Sequence, residues 1–205
     1  MSISPLCPGI IKLFVTAVDI ILSQGSAQSV IVEADENLMS LIQTEVFGNT
    51  LKIDTKKPVR DPKSLKVFIT VTDLKKIEVS GAVDLESQGK LTLNDLNIQI
   101  SGATEAVLNL AVQTLNIGSS GGSELTLAGM ANKMNVDVSG AVEIHAFDLM
   151  TEITSLDISG AGEAEIYVTK ELYADISGAA SVRYKGDPPK VDSSVSGAGS
   201  IKKAN

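Results

Sequence analysis

Two sets of polar residues in this 205-residue chain recur at a spacing that chemistry can use. The first is a series of Ser-Gly pairs: Ser80-Gly81, Ser101-Gly102, Ser120-Gly121, Ser139-Gly140, Ser159-Gly160, Ser177-Gly178 and Ser196-Gly197, at steps of 21, 19, 19, 20, 18 and 19 residues. A serine hydroxyl becomes a nucleophile when an adjacent base takes its proton. The one histidine, His145, follows Ser139 by six residues and is expected on the outward face of a strand. The serines are therefore expected to bond the corner backbone and one another, and no catalytic residue is assigned. The second set is acidic. Asp84, Glu105, Glu124, Glu143 and Glu163 each follow a pair's serine by four residues, and Asp137, Asp157 and Asp175 precede one by two. Carboxylates stacked in rows repel by about 1 kcal/mol per near pair in water. Such rows suit either a hard cation such as calcium or a solvated face that resists aggregation. The G-G-x-G-x-D order of calcium-binding repeats is absent, so the rows stand as candidate ligand-binding residues with no metal and no cofactor assigned.

The repeat that carries these residues also dictates how they are positioned. One place before each serine stand Val79, Ile100, Ser119, Val138, Ile158, Ile176 and Val195, and three before stand Ile77, Ile98, Ile117, Val136, Leu156, Ala174 and Ser193. Polar residues or glycine fill the column between. Apolar-polar alternation over β-branched residues predicts a strand. After the pair come a small residue, the acidic column, and then Leu85, Ala106, Leu125, Ile144, Ala164, Val182 and Ile201, which predicts a second strand beyond a Ser-Gly corner. A glycine in all seven corners implies positive φ or no room for a Cβ. Strand, corner, strand and return loop in about 19 residues make an all-β, right-handed parallel β-helix. Seven coils at roughly 4.8 Å each would run about 34 Å. A left-handed hexapeptide helix is disfavoured, because the positions eleven after each serine are mixed: Leu91, Val112, Ala131, Met150, Lys170 and Pro188.

Residues 1–73 lack the pair but alternate in SVIVEA (29–34), TLKIDT (50–55) and LKVFITV (65–71), with Gly48-Asn49 in a turn and a helical turn or two expected over 36–43. An open solenoid exposes unpaired backbone at its ends and needs a cap. The expected organisation is a single structural domain, with a β-rich N-terminal cap over 1–73 continuous with the Ser-Gly-Ala solenoid over 74–205. At the far end Lys185, Pro188, Pro189, Lys190, Lys202 and Lys203 discourage edge pairing.

Composition narrows the function. With no Trp and 3% aromatics, the core must be aliphatic, and a stacking platform for sugar rings is small. Single Cys7 and single His145 exclude a disulfide framework, a Cys-based zinc cluster and a multi-His site. A net charge of −8 argues against nucleic acid and anionic membranes, and residues 84–175, with 14 acidic and 3 basic side chains, hold the whole excess. IIKLFVTAVDIIL (10–22) is too short and too interrupted to span a bilayer, lacks a leader's flanks, and reads as two short strands.

SGAVDLE (80–86), ISGATEA (100–106), VSGAVEI (138–144), ISGAGEAEI (158–166), YKGDPP (184–189) and SGAGSI (196–201), with VEADENLMSLIQTEVFGNTLKIDT (32–55) upstream, resemble the bacterial head GIN domain family, described as putative autotransporter adhesins. The resemblance covers about residues 12–203. It implies a β-helical fold, a place in the cell envelope (periplasm or outer surface) and no defined active site. The expected function is therefore a non-catalytic envelope scaffold for adhesion or surface recognition. Its expected partner is a glycan or protein at a cell surface, with homo-oligomers through solenoid faces or edges as a further expectation. Two alternatives stand beside it. A pectinase-like β-helix enzyme needs acids converging with Arg or Lys, or an Asp pair such as Asp137 and Asp157, yet the arginines are Arg60 and Arg183. A lipid or hydrophobic-ligand site would have to lie between cap and solenoid, since so narrow a coil fills itself.

Overall fold

The computed structural model describes residues 2–3, 9–14, 16–35, 39, 41–56 and 65–204. Cys7, Arg60 and position 15 lie outside them. The N-terminal third contains β1 (Ser2–Ile3), β2 (Ile10–Phe14), β3 (Thr16–Gln24), β4 (Ser29–Ala34), β5 (Ile42–Phe47), β6 (Thr50–Thr55), β7 (Leu65–Val71) and β8 (Lys76–Val79). Then come five long wound strands, β9 (Ala82–Ile100), β10 (Ala103–Ser119), β11 (Gly122–Val138), β12 (Ala141–Ile158) and β13 (Ala161–Ile176). The chain ends in β14 (Ala179–Lys185), β15 (Lys190–Val195) and β16 (Ser200–Lys203). All join one sheet, wound as a parallel β-solenoid of about 7 turns with ~19 residues per turn.

Chain order and stacking order differ at the N-terminal end. β2 and β3 together form a coil that pairs in parallel with β8 and β9 on one side and with β6 and β7 on the other. Beyond that outer coil the pairing turns antiparallel, β5 on β6 and β4 on β7, with β1 antiparallel on β4. Gly48, at φ 56°, and Asn49 make the two-residue turn of the β5–β6 hairpin, a backbone that favours glycine there. Within the 36–43 stretch where a helical turn or two is expected, the Met39 N–H donates to the Asp35 carbonyl, and Ile42 is already in β5. Positions 36–38 and 40 of that prediction lie outside the described residues.

The predicted return loop is itself a strand. β10 alternates buried and exposed from Ala103 to Ser119 and pairs in register with β9 and β11 along its length. Bulges absorb the drifting period: between Val107 and Asn109 β9 carries two more residues than β10, and between Thr126 and Ala128 β12 carries one more than β11. A fixed count from the serine therefore slips past the bulge. Leu93, Val112, Ala131, Thr151 and Val168 form one stacked, buried row, although their offsets differ.

Aliphatic rows fill the interior: Leu96, Leu115, Met134 and Leu172 lie in one stack with Thr154, all of them 0% exposed. Each buried Leu, Ile or Val contributes about 1.5–3 kcal/mol relative to exposure. At two places where the pattern breaks, hydrogen bonds repair it. Ser119 takes an apolar column's place and bonds Ser123 at 2.9 Å, while Thr151 bonds both Thr154 and the Tyr167 carbonyl at 2.7 Å. A polar group buried without such partners would cost stability.

At the corners the glycines are required for space. A Cβ on Gly140 would lie 2.1 Å from the Gly121 carbonyl oxygen, and one on Gly102 would lie 1.8 Å from that of Gly81. The carbonyls of Gly121, Gly140, Gly160 and Gly178 each accept from the residue just past the next corner, as Gly121 does from the Ala141 N–H at 3.1 Å.

Candidate acidic groove

The first acidic column forms one row. Asp84, Glu105, Glu124, Glu143 and Glu163 occupy successive rungs of β9 to β13, each directly paired with the next. The row begins one coil earlier, because Asp19 of β3 pairs with Asp84. Asp19 was missed in the sequence, although Ala17-Val18-Asp19-Ile20 repeats Ala82-Val83-Asp84-Leu85 almost letter for letter. Six rungs span about 24 Å at the spacing of neighbouring strands. Beside them the small column Ala82, Ala103, Gly122, Ala141 and Ala161 leaves an open groove of about 930 Å³, lined along one side by Asp19, Asp84, Glu105, Glu124 and Glu143.

Cations neutralise the ends of the row. Asp19 meets Lys66 at 3.6 Å, and Glu163 accepts from Arg183 at 2.8 Å. Asp84 and Glu105 have no cation within 4.0 Å among the described residues, and Glu124 and Glu143 approach only His145, at 3.9 Å each. Glu124 and Glu143 are 53% and 65% exposed, so water carries most of their charge. His145 stands two residues beyond Glu143, on the same face of β12 as expected. Its Nδ1 lies 3.3 Å from Glu165 Oε2 in the next coil, and Arg183 donates to that carboxylate too.

The second column forms its own row across the corner. Asp137, Asp157 and Asp175 stack rung on rung, exposed, and the row continues backwards through Gly118, Gln99 and Glu78 to Lys12. Here charge is compensated at one end. Lys12 and Lys76 each donate to Glu78 at 2.6 Å and together hold its carboxyl below the usual range. Asp54 is likewise held low, by Lys52 at 2.9 Å and the Thr55 N–H. Beside this row runs an amide ladder that the sequence reading passed over: Asn135 donates to Asn116 at 2.7 Å and Gln99 to Asn97 at 2.9 Å. Its signal was the Asn97, Asn116, Asn135 column four places before each serine.

The corner serines sit apart from both rows' chemistry. Each of Ser101, Ser120, Ser139, Ser159, Ser177 and Ser196 donates its backbone N–H to the preceding coil at 2.7–2.9 Å. The hydroxyls of Ser101 and Ser159 donate to the carbonyls of Val79 and Val138 at 3.3 and 3.2 Å. No corner serine bonds another among the described residues, so the expected hydroxyl-to-hydroxyl ladder is replaced by bonds to backbone. His145 bonds no serine there, and its near partners are all carboxylates.

Comparison with known proteins agrees with this architecture. A family described as "Putative auto-transporter adhesin, head GIN domain" matches residues 11–188. A crystal structure of a putative adhesin from Bacteroides fragilis is similar at 26% identity and a TM-score of 0.94, covering 100% of this chain and 95% of that one. A putative adhesin from Parabacteroides merdae and a putative lipid binding protein from Parabacteroides distasonis share the fold, each at 24% identity, with TM-scores of 0.76 and 0.71 and with 95% and 96% of their chains covered by 100% of this one. No curated protein matches the sequence. With the match spanning residues 11–188, most of the chain, this chain belongs to the auto-transporter adhesin head GIN domain family.

Proposed function

We propose that the chain is a non-catalytic recognition scaffold of the bacterial cell envelope, and that it takes an extended, positively charged protein segment along the acidic groove. The envelope location rests on the family. The partner's charge rests on one observation: the middle of the carboxylate row is uncompensated while it borders an open groove on a rigid, strand-paired wall. A lysine- or arginine-rich chain would relieve the repulsion between rungs and displace counterions, and an extended backbone suits a row about 24 Å long. An anionic glycan would meet the wrong sign of charge.

The alternatives find less support. General-acid catalysis asks for a carboxyl kept protonated by burial, whereas Glu124 and Glu143 are open to solvent. Arg183 is engaged by Glu163 and Glu165 at the end of the groove. A lipid needs an apolar cavity, and the coil interior is filled by its own stacked Leu, Ile and Val. The test is an array of peptides and glycans probed with the wild type and with the E105K/E124K/E143K variant. The expected signal is confined to basic peptides and lost on charge reversal. Signal that survives reversal, or unsaturated sugars released from pectin, would overturn the reading.

A further inference from the structure

We propose that Glu124, Glu143 and His145 form a binding site for one divalent transition-metal ion, with zinc the best fit, and that Glu165 is its positioning residue. Glu124 on β11 and Glu143 on β12 are paired rungs, and His145 lies two residues on, so three donor-bearing side chains share one face. One ligand atom from each falls within 4.8 Å of the others.

The histidine's orientation says what should lie between them. Nδ1 faces Glu165, a carboxylate only 15% exposed and held from its other side by Arg183. With Nδ1 against that carboxylate, Nε2 is the ring nitrogen that faces Glu124 and Glu143, 3.9 Å from each. One ring nitrogen and two carboxylate oxygens converging on one point suit a positive centre between them. A metal fits. Bonds of about 2.0–2.2 Å to nitrogen and oxygen span donor separations up to about 4.2 Å, closing to about 3.4 Å at tetrahedral geometry. Exposed glutamates can close that gap by small rotations. One imidazole with two carboxylates favours zinc over calcium, which takes oxygen ligands, and the solvent side leaves a place for water. The carboxylate behind the ring is the arrangement that orients metal-ligating histidines.

The inference does not rest on the groove reading, because partner binding can be measured with a chelator present. Calorimetric titration with zinc chloride, and cobalt(II) absorption in the visible, test it on the full chain. One ion per chain is expected. H145A should weaken binding about tenfold or more, and E165Q about 10–100-fold, while Asp95→Asn, at an exposed carboxylate of β9 outside the groove, leaves it unchanged. Thermal melts of each variant check folding. Failure to saturate with zinc, equal affinity in H145A, equal loss in Asp95→Asn, or calcium binding as tightly as zinc would overturn the site.

Discussion

Gly140 and Gly122 separate two reasons for a small residue on the same strip of surface. A side chain on Gly140 runs into the carbonyl of the coil beneath, an immovable atom held by its own hydrogen bond. Gly122, next to a corner, would place a Cβ in open space, and its column is otherwise alanine. Gly140→Ala should therefore destabilise by about 3 kcal/mol or more, and Gly122→Ala by less than about 0.5 kcal/mol. Urea midpoints with unchanged slopes would check both; similar losses at the two sites would contradict the stacking of corners. The need for glycine was legible in its recurrence. Which of the two reasons applied was not, because the obstructing atom belongs to a residue about 19 positions away. His145 shows the same limit. Its outward face was readable from alternation, but Glu165, in the next coil, becomes its partner only once the register between coils is known.

Among the elements, β2 and β8 are neighbours that a charge cluster links. Glu78 on β8 accepts from Lys76 of its own strand and from Lys12 of β2, and its carboxyl is held low by both lysines, Lys12 first. Because the folded value lies below the unfolded one, this pairing stabilises fully above the ordinary glutamate range near about 4.3 and is lost as pH falls through the folded value. The wild type should lose stability relative to Glu78→Gln as pH drops from about 6 to about 3. Parallel stability curves for the two proteins would refute it. The strands themselves were legible because each alternates with period two. The return segments were not, since bulges of one or two residues shift every later position and scramble a column counted from the serine. Nor could alternation reveal that the β6–β7 coil stacks outside the β2–β3 coil, because either order buries the same apolar faces.

At the scale of the whole molecule, the solenoid turns a short sequence pattern into long surface rows. The acidic columns were visible as letters at fixed spacing; the extension of the first column to Asp19, and the cations that close that row's two ends, came from pairing between coils. We read residues 1–73 as a cap continuous with the solenoid, its antiparallel strands covering the edge of the outermost coil. The rods' repeated carboxylates then act together or singly, and oligolysine length tells which. Titrating the chain with lysine peptides of increasing length, chelator present, measures whether the rungs form one continuous strip. Affinity should rise with length to about seven residues, the number that spans about 24 Å extended, then level off, with a steep salt dependence. Affinity independent of length, or undiminished in the E105K/E124K/E143K variant, would contradict a single recognition groove.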